Sequence, residues 1–281
     1  MKIWKLIKDL YIRFMNDDIL SIGAQVTFYL TLSIFPFLIF LISLITYMPF
    51  LNLQNNIEVF ASFMPGNAYE ILRDVIIQTI HNKSTTLLSF GMLFTLWSSA
   101  NGVTSLIRGI NRAYDQDETR SFWKIILVSL FFTLELAVVI ILSLILIVFG
   151  KLIETQIFHL FGLSVAYSII WNYTRFIISF LITIFVLISL YHNTPNRSLT
   201  FKEVIPGAIT ASVGWVIISV AFSYYVNNLG NYPKLYGSLG GIIALFTWIY
   251  LSSIIIFMGA EINASLMFLK TGIKKTKLRR F

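Results

Sequence analysis

The sequence predicts an all-α, polytopic membrane protein, and three observations carry that prediction. Of its 281 residues, 57% are hydrophobic and only 12% are charged, about half the charged share of a soluble domain. Six apolar stretches are each long enough to cross a bilayer core, which needs roughly 20 helical residues for about 30 Å. The lysines and arginines gather on one side of those stretches. A water-facing fold of this size cannot hide so much apolar surface, so lipid is the expected solvent.

The first element, KIWKLIKDLYIRF, reads as an amphipathic helix. Ile3, Leu6, Ile7, Leu10 and Phe14 recur at helical spacing, with Lys2, Lys5, Lys8 and Arg13 mostly elsewhere. Such a helix is expected on the inner leaflet with its cations near anionic headgroups. A solvated leader helix is the plainer alternative. No long apolar run with a small-residue cleavage site is present at the start, so no cleaved signal peptide is expected.

Span 1 is expected at about 24–48. Pro36 removes one backbone donor and should kink this span rather than end it. The next stretch, FMPGNAYEILRDVIIQTI, has Pro65 placed for a helix start and reads as an external amphipathic segment. Spans 2 to 6 are expected at about 87–109, 125–150, 170–191, 205–226 and 239–268, with a basic tail over 269–281.

Sixteen basic residues fall on the N-terminal arm, the 108–124 and 191–203 connections and the tail. Arg73, Lys83, Lys151 and Lys234 lie opposite, and Arg175 sits near the outer end of span 4. The positive-inside rule then places both termini in the cytoplasm. The formal charge of +8 is therefore sorted by membrane side, and membrane lipids rather than nucleic acid are the expected partners. Whether the chain forms a homo-oligomer or joins an envelope partner is left open.

Stripes of small residues mark the spans. Span 2 aligns Gly91, Gly102 and Gly109 with Thr95, Ser98 and Ser105; span 5 has Gly207, Ala211 and Gly214; span 6 has Gly237, Gly241 and Gly259 on a line toward Asn263. Inside lipid, helices associate through close backbone approach, which small residues allow. A tightly packed bundle is the structural reading, and a groove with room for substrate is the other.

FYLTLSIFP, NRAYDQDETRSFWK, LYHNTPNRSLTFKEVIPGAI, YYVNNLGNYPKLYGSLGG and WIYLSSIIIFMGAEINA together resemble the YihY/virulence factor BrkB family of bacterial membrane proteins. The likeness runs from about residue 17 to 268. It implies a six-span α-helical protein of the bacterial inner membrane with cytoplasmic termini. The family has carried a ribonuclease label and a virulence or serum-resistance label, and neither names a mechanism.

The residues give the enzyme reading little support. With no cysteine, disulfides, thiolate nucleophiles and Cys-based metal sites are excluded. His81, His159 and His192 show no HxH or HExxH spacing. Asp115, Asp117 and Glu118 beside Arg112 and Arg120 read as a solvated turn rather than a Mg²⁺ site. No catalytic residue, metal or cofactor is expected.

Ionisable groups inside spans are costly and so default to functional candidates. Glu135 lies about 11 residues from the inner edge of span 3, about 16 Å deep, and reads as a relay or a helix-to-helix hydrogen bond. Arg175 either snorkels to outer headgroups or turns inward toward an anionic substrate or Glu135. Glu261 lies a few turns from the inner end of span 6, where Arg108 and Arg112 are its expected cations. It is either a buried ion pair fixing helix register or an inner gate that Asn101 and Asn263 join. The expected function is transport or flipping of an envelope-related amphiphile or anion; the rival is a scaffold whose charges lock its helices.

Overall fold

The computed structural model describes residues 3–47, 85–135, 138, 165–228 and 240–271. Among these residues the regular elements are all helices. They are α1 (Ile3–Asn16), α2 (Ile19–Tyr47), α3 (Thr85–Ala113), α4 (122–135), α5 (Val165–Asn193), α6 (Phe201–Asn228) and α7 (Gly240–Thr271). Among the described residues three stretches are long and apolar enough to cross a membrane, Tyr173–Asn193, Phe201–Val226 and Gly240–Thr271, while Ile19–Ile34 is a shorter apolar helix. The external segment over 63–80, Gly237 and most of the third expected span lie outside the described residues.

The chain divides into two compact units, residues 28–101 and residues 1–27 with 102–281. In the first, α2 continues through the buried Pro36. The missing N–H costs the Leu32 carbonyl its usual donor without ending the helix. Gly91 of α3 lies against this turn. A Cβ there would stand 3.0 Å from the Phe40 nitrogen and 3.1 Å from the Pro36 carbonyl oxygen, a tight contact that would require the two backbones to move apart by a few tenths of an ångström.

In the second unit, α6 packs along α7, α5 against α6, and α1 on α7. Its core gathers Ile107 and Ile110 of α3, Leu190 and Tyr191 of α5, Val204 and Ala208 of α6, and Ala260, Ala264 and Met267 of α7. These residues come from the C-terminal ends of α3, α5 and α7 and the N-terminal end of α6. Elsewhere the same helices expose Phe176, Leu181, Phe185, Ile217 and Val220, a pattern suited to lipid rather than water.

The glycines explain how the backbones come so near. A Cβ on Gly207 would run into the Gly259 carbonyl and the Asn263 amide, and one on Gly259 into the Tyr191 hydroxyl and, at 2.7 Å, the Ala211 Cβ. Gly109 lies under the Phe257 ring, and Gly102 is buried. Gly214 has room for a methyl at ordinary contact with Ile255, 3.4 Å away. Gly241, expected on the packing stripe, is exposed in the first turn of α7, and no described residue comes within 4 Å of its Cβ position. Farther along, the Trp215 and Trp248 indoles donate to Ser252 and Ser219 across the α6–α7 seam, each at 3.1 Å.

Gly207→Ala and Gly259→Ala are expected to destabilise the detergent-solubilised protein by about 1–3 kcal/mol each through overpacking. Gly241→Ala should change stability by less than about 0.5 kcal/mol. Thermal unfolding of the three purified variants checks both statements.

Candidate functional site

The sequence GAEINAS places three polar side chains within five residues near the end of α7. At 3.6 residues per turn, Glu261, Ser265 and Phe268 share one face and Asn263 points to another. Glu261 and Asn263 are each 1% exposed. Each must therefore find its partners in protein.

The first face meets α1. Arg13, buried, donates from Nε to Asp9 Oδ2 at 2.6 Å and from Nη1 to Glu261 Oε2 at 3.5 Å and the Ala113 carbonyl at 3.4 Å. Its guanidinium carbon stands 4.9 Å over the Phe268 ring, within cation–π range. Ser265 Oγ donates to the same Asp9 Oδ2 at 2.6 Å. One guanidinium thus serves two carboxylates drawn from two helices.

This corrects two expectations. The cation in salt-bridge contact with Glu261 is Arg13 of α1, at 3.5 Å. Arg108 is exposed, and Arg112 donates from Nη1 to the Asp17 carbonyl at 3.0 Å. The physical reason is the α1–α2 turn. Asp18 takes a left-handed φ of 53° and accepts from Ser21 Oγ at 2.8 Å, so α1 folds back onto α7 and carries Arg13 to Glu261. The apolar stripe of α1 also shifts. Leu6, Leu10 and Phe14 are half-buried, Arg13 is buried with them, and Ile7 is exposed.

The second face meets α6. Asn263 Oδ1 accepts from the Gly207 N–H at 2.6 Å, and its Nδ2 donates to the Val204 carbonyl at 3.0 Å. The side chain brackets the turn that holds Pro206, which has no N–H to give. The start of α6 carries the carboxylate half of a capping box: Thr200 N and Oγ1 both donate to Glu203 Oε2 at 2.8 Å, and Glu203 N donates to the Thr200 backbone carbonyl at 3.0 Å. Tyr114, just past α3, is buried nearby. Burial pushes its phenol well above the usual range, and the Glu203 and Glu261 carboxylates add to the shift, so the ring stays neutral.

A third cluster interlocks the turn after α3 with the turn after α5. Glu118 receives Arg120 Nε at 2.7 Å and Nη2 at 2.5 Å, together with the Asn111 amide at 2.9 Å. Arg120 Nη2 also reaches the Thr194 carbonyl at 2.8 Å, and Asn111 Oδ1 accepts from Asn196 N at 2.7 Å. The DQDE segment is a turn, with Asp117 exposed and Asp115 at a φ of 56°, yet Glu118 within it is a clamp. Among the described residues, no three His, Asp or Glu side chains converge as a metal ion would need.

The remaining candidates lie apart from the junction or turn elsewhere. Glu135 on α4 accepts from Ser189 Oγ at 3.1 Å, and Ser189 accepts from Asn193 Nδ2 at 3.3 Å. Glu135 is thereby tied near the last turn of α5. Arg175 is half-buried 14 residues before Ser189 on the same helix, about 21 Å away. That separation sets Arg175 apart from Glu135, leaving the other two readings given for it, snorkelling and an anionic substrate. Asn101 Nδ2 donates back to the Trp97 carbonyl at 2.8 Å.

Sequence reasoning missed Arg13 and Asp9, although their i, i+4 spacing within an apolar run was a usable signal. It also missed Tyr114, and it read Glu118 and Arg120 as a solvated turn where they form an ion pair.

The Arg120 guanidinium beside Glu118 holds this carboxyl below its ordinary value of 4.5. A depressed folded-state value contributes stability above the unfolded value and loses it as pH falls through the folded one. The gap in unfolding temperature between wild type and Glu118→Gln should therefore be full near neutrality and close below about pH 4.5, as thermal unfolding in a pH series would read.

Comparison with known proteins agrees with the helical, apolar architecture. The family model for virulence factor BrkB matches residues 10–277. A protein described as ribonuclease-like, YfkH of Bacillus subtilis (strain 168), is 38% identical over 260 residues, 92% of this chain and 94% of its own. A UPF0761 membrane protein of Alteromonas mediterranea is 26% identical over 268 residues, 92% of this chain and 86% of its own, and one of Vibrio campbellii is 24% identical over 264 residues, 90% and 79%. No solved structure matches. The chain is an α-helical membrane protein that belongs to the virulence factor BrkB family.

Proposed function

We propose that the protein crosses the bacterial inner membrane six times with both termini cytoplasmic, and that it moves or flips an anionic or amphiphilic envelope component. In this reading Arg13 and Glu261 form the inner gate, and Glu135 and Arg175 are polar stations farther along the bundle. The reading is non-enzymatic, since it gives these residues binding and gating parts rather than chemical ones.

One observation carries the proposal. Glu261 is buried near the end of α7 against a cation borne on a separate helix of 14 residues, at 3.5 Å. A buried ion pair is weak evidence for stability, because apolar replacements of similar volume are often neutral or stabilising. A gate has a use for such a pair: an incoming anion competes with Glu261 for Arg13, and the exchange needs only α1 to shift.

The scaffold reading draws on a different observation. Asn263 and Glu118 are spent on hydrogen bonds that tie one element to another, as a rigid platform would require.

Reconstitution of the pure protein in liposomes separates the two. Transport predicts lipid scrambling or ion flux above empty vesicles. Glu261→Gln should change that flux by about tenfold, while Arg13 keeps Asp9 as a partner and the protein stays folded. Leak equal to empty vesicles across lipids and gradients overturns the transport reading in favour of the scaffold.

A further inference from the structure

The outward side of α1 is unlike the surface of a solvated helix. Trp4 is 75% exposed, Ile7 54%, Tyr11 65% and Met15 57%. These positions, spaced three or four apart, form one continuous stripe. Lys8 lies exposed beside it, and the opposite side holds the half-buried Leu6, Leu10 and Phe14 with the buried Arg13. An aromatic and aliphatic stripe beside a cation is the pattern of a helix lying in a membrane interface. Trp and Tyr favour that level because they join an apolar ring to a polar edge.

The level at which α1 docks points to the same occupant. Its contacts on α7 are Glu261, Ser265 and Phe268, which lie 21 to 28 residues beyond Gly240. At 1.5 Å per residue that is about 32 to 42 Å along the helix. A hydrocarbon core is about 30 Å thick. A membrane-crossing α7 that enters lipid near Gly240 therefore leaves it close to Glu261, and α1 meets it in the headgroup zone.

We infer that α1 is an in-plane helix whose Trp4–Ile7–Tyr11–Met15 face enters the anionic leaflet at the C-terminal end of α7, with its other face fixed to α7 by Arg13 and Asp9. The occupant of the exposed stripe is the lipid surface rather than a second copy of the chain. Lys2, Lys5 and Lys8 in the same segment favour anionic headgroups. This lipid face differs from the stripe expected from sequence, because Leu6, Leu10 and Phe14 turn toward protein. The inference needs the membrane character of α7 and does not depend on transport.

The chain has no cysteine, so single labels are simple to place. Trp4→Cys and Tyr11→Cys, each carrying an environment-sensitive fluorophore, would be reconstituted in vesicles of phosphatidylcholine with or without phosphatidylglycerol. The inference expects blue-shifted emission, quenching by shallow nitroxide lipids, protection from iodide, and a stronger effect with phosphatidylglycerol. Emission typical of water with full iodide quenching overturns it. Protection that appears only at high protein-to-lipid ratio, with energy transfer between labelled copies, overturns it in favour of a dimer face. A label at exposed Asp117 serves as the water-facing control.

Discussion

The structure depends on one constraint: polar groups enclosed near the end of α7 must be satisfied by protein. A buried donor or acceptor left without a partner costs about 1–3 kcal/mol, and more if charged. Glu261 and Ser265 share one face of α7 and Asn263 stands on another, so satisfying all three fixes the rotation of α7. A slip of one residue turns each side chain by about 100°. Asn263 would leave the Gly207 and Val204 backbone, and Ser265 would leave Asp9. Two neighbours, α1 and α6, are thus positioned by a five-residue stretch.

Close packing and polar pairing support each other here. Lipid offers no hydrophobic drive for helix association, so α6 and α7 need van der Waals contact and hydrogen bonds. Gly207 and Gly259 let the two backbones meet, and that nearness is what allows the short Asn263 side chain to reach both a donor and an acceptor on α6. Tyr191 adds a third helix, donating to the Ile256 carbonyl at 2.6 Å beside Gly259. A larger residue at either glycine would displace the backbone and the hydrogen bonds together.

Much of this was legible from sequence where the signal is local. Helix positions follow from long apolar runs, and Pro36 continuing through α2 follows from proline chemistry. Gly207, Gly259 and Asn263 stood out because small or polar residues in an apolar span need a reason. Pairing was less legible, because sequence reports how far along a helix a residue lies but not which way it faces. Arg112 and Arg13 were both near the right helix end, and only the turn at Asp18 decides between them. Counting along one helix likewise could not name Ser189 of α5 as the partner of Glu135. Arg13 was hidden for a further reason. A cation in an amphipathic helix is assigned to water by default, and that default fails when a carboxylate on another helix waits for it.

The junction is uneven, and the unevenness bears on what it can do. Asp9 takes short bonds from both Arg13 and Ser265, at 2.6 Å each, while the Arg13–Glu261 contact is longer at 3.5 Å. The α1–α7 attachment therefore has a close link through Asp9 and a looser one through Glu261. The side chain of Asp9 is 35% exposed, while those of Arg13 and Glu261 are 4% and 1%, so water screens the close link more than the loose one. A small displacement of α1 would then weaken first the pair that is least screened, where an ångström of separation changes the interaction energy most. On the inferred docking of its exposed face in lipid, α1 would connect the leaflet to Glu261 through one helix.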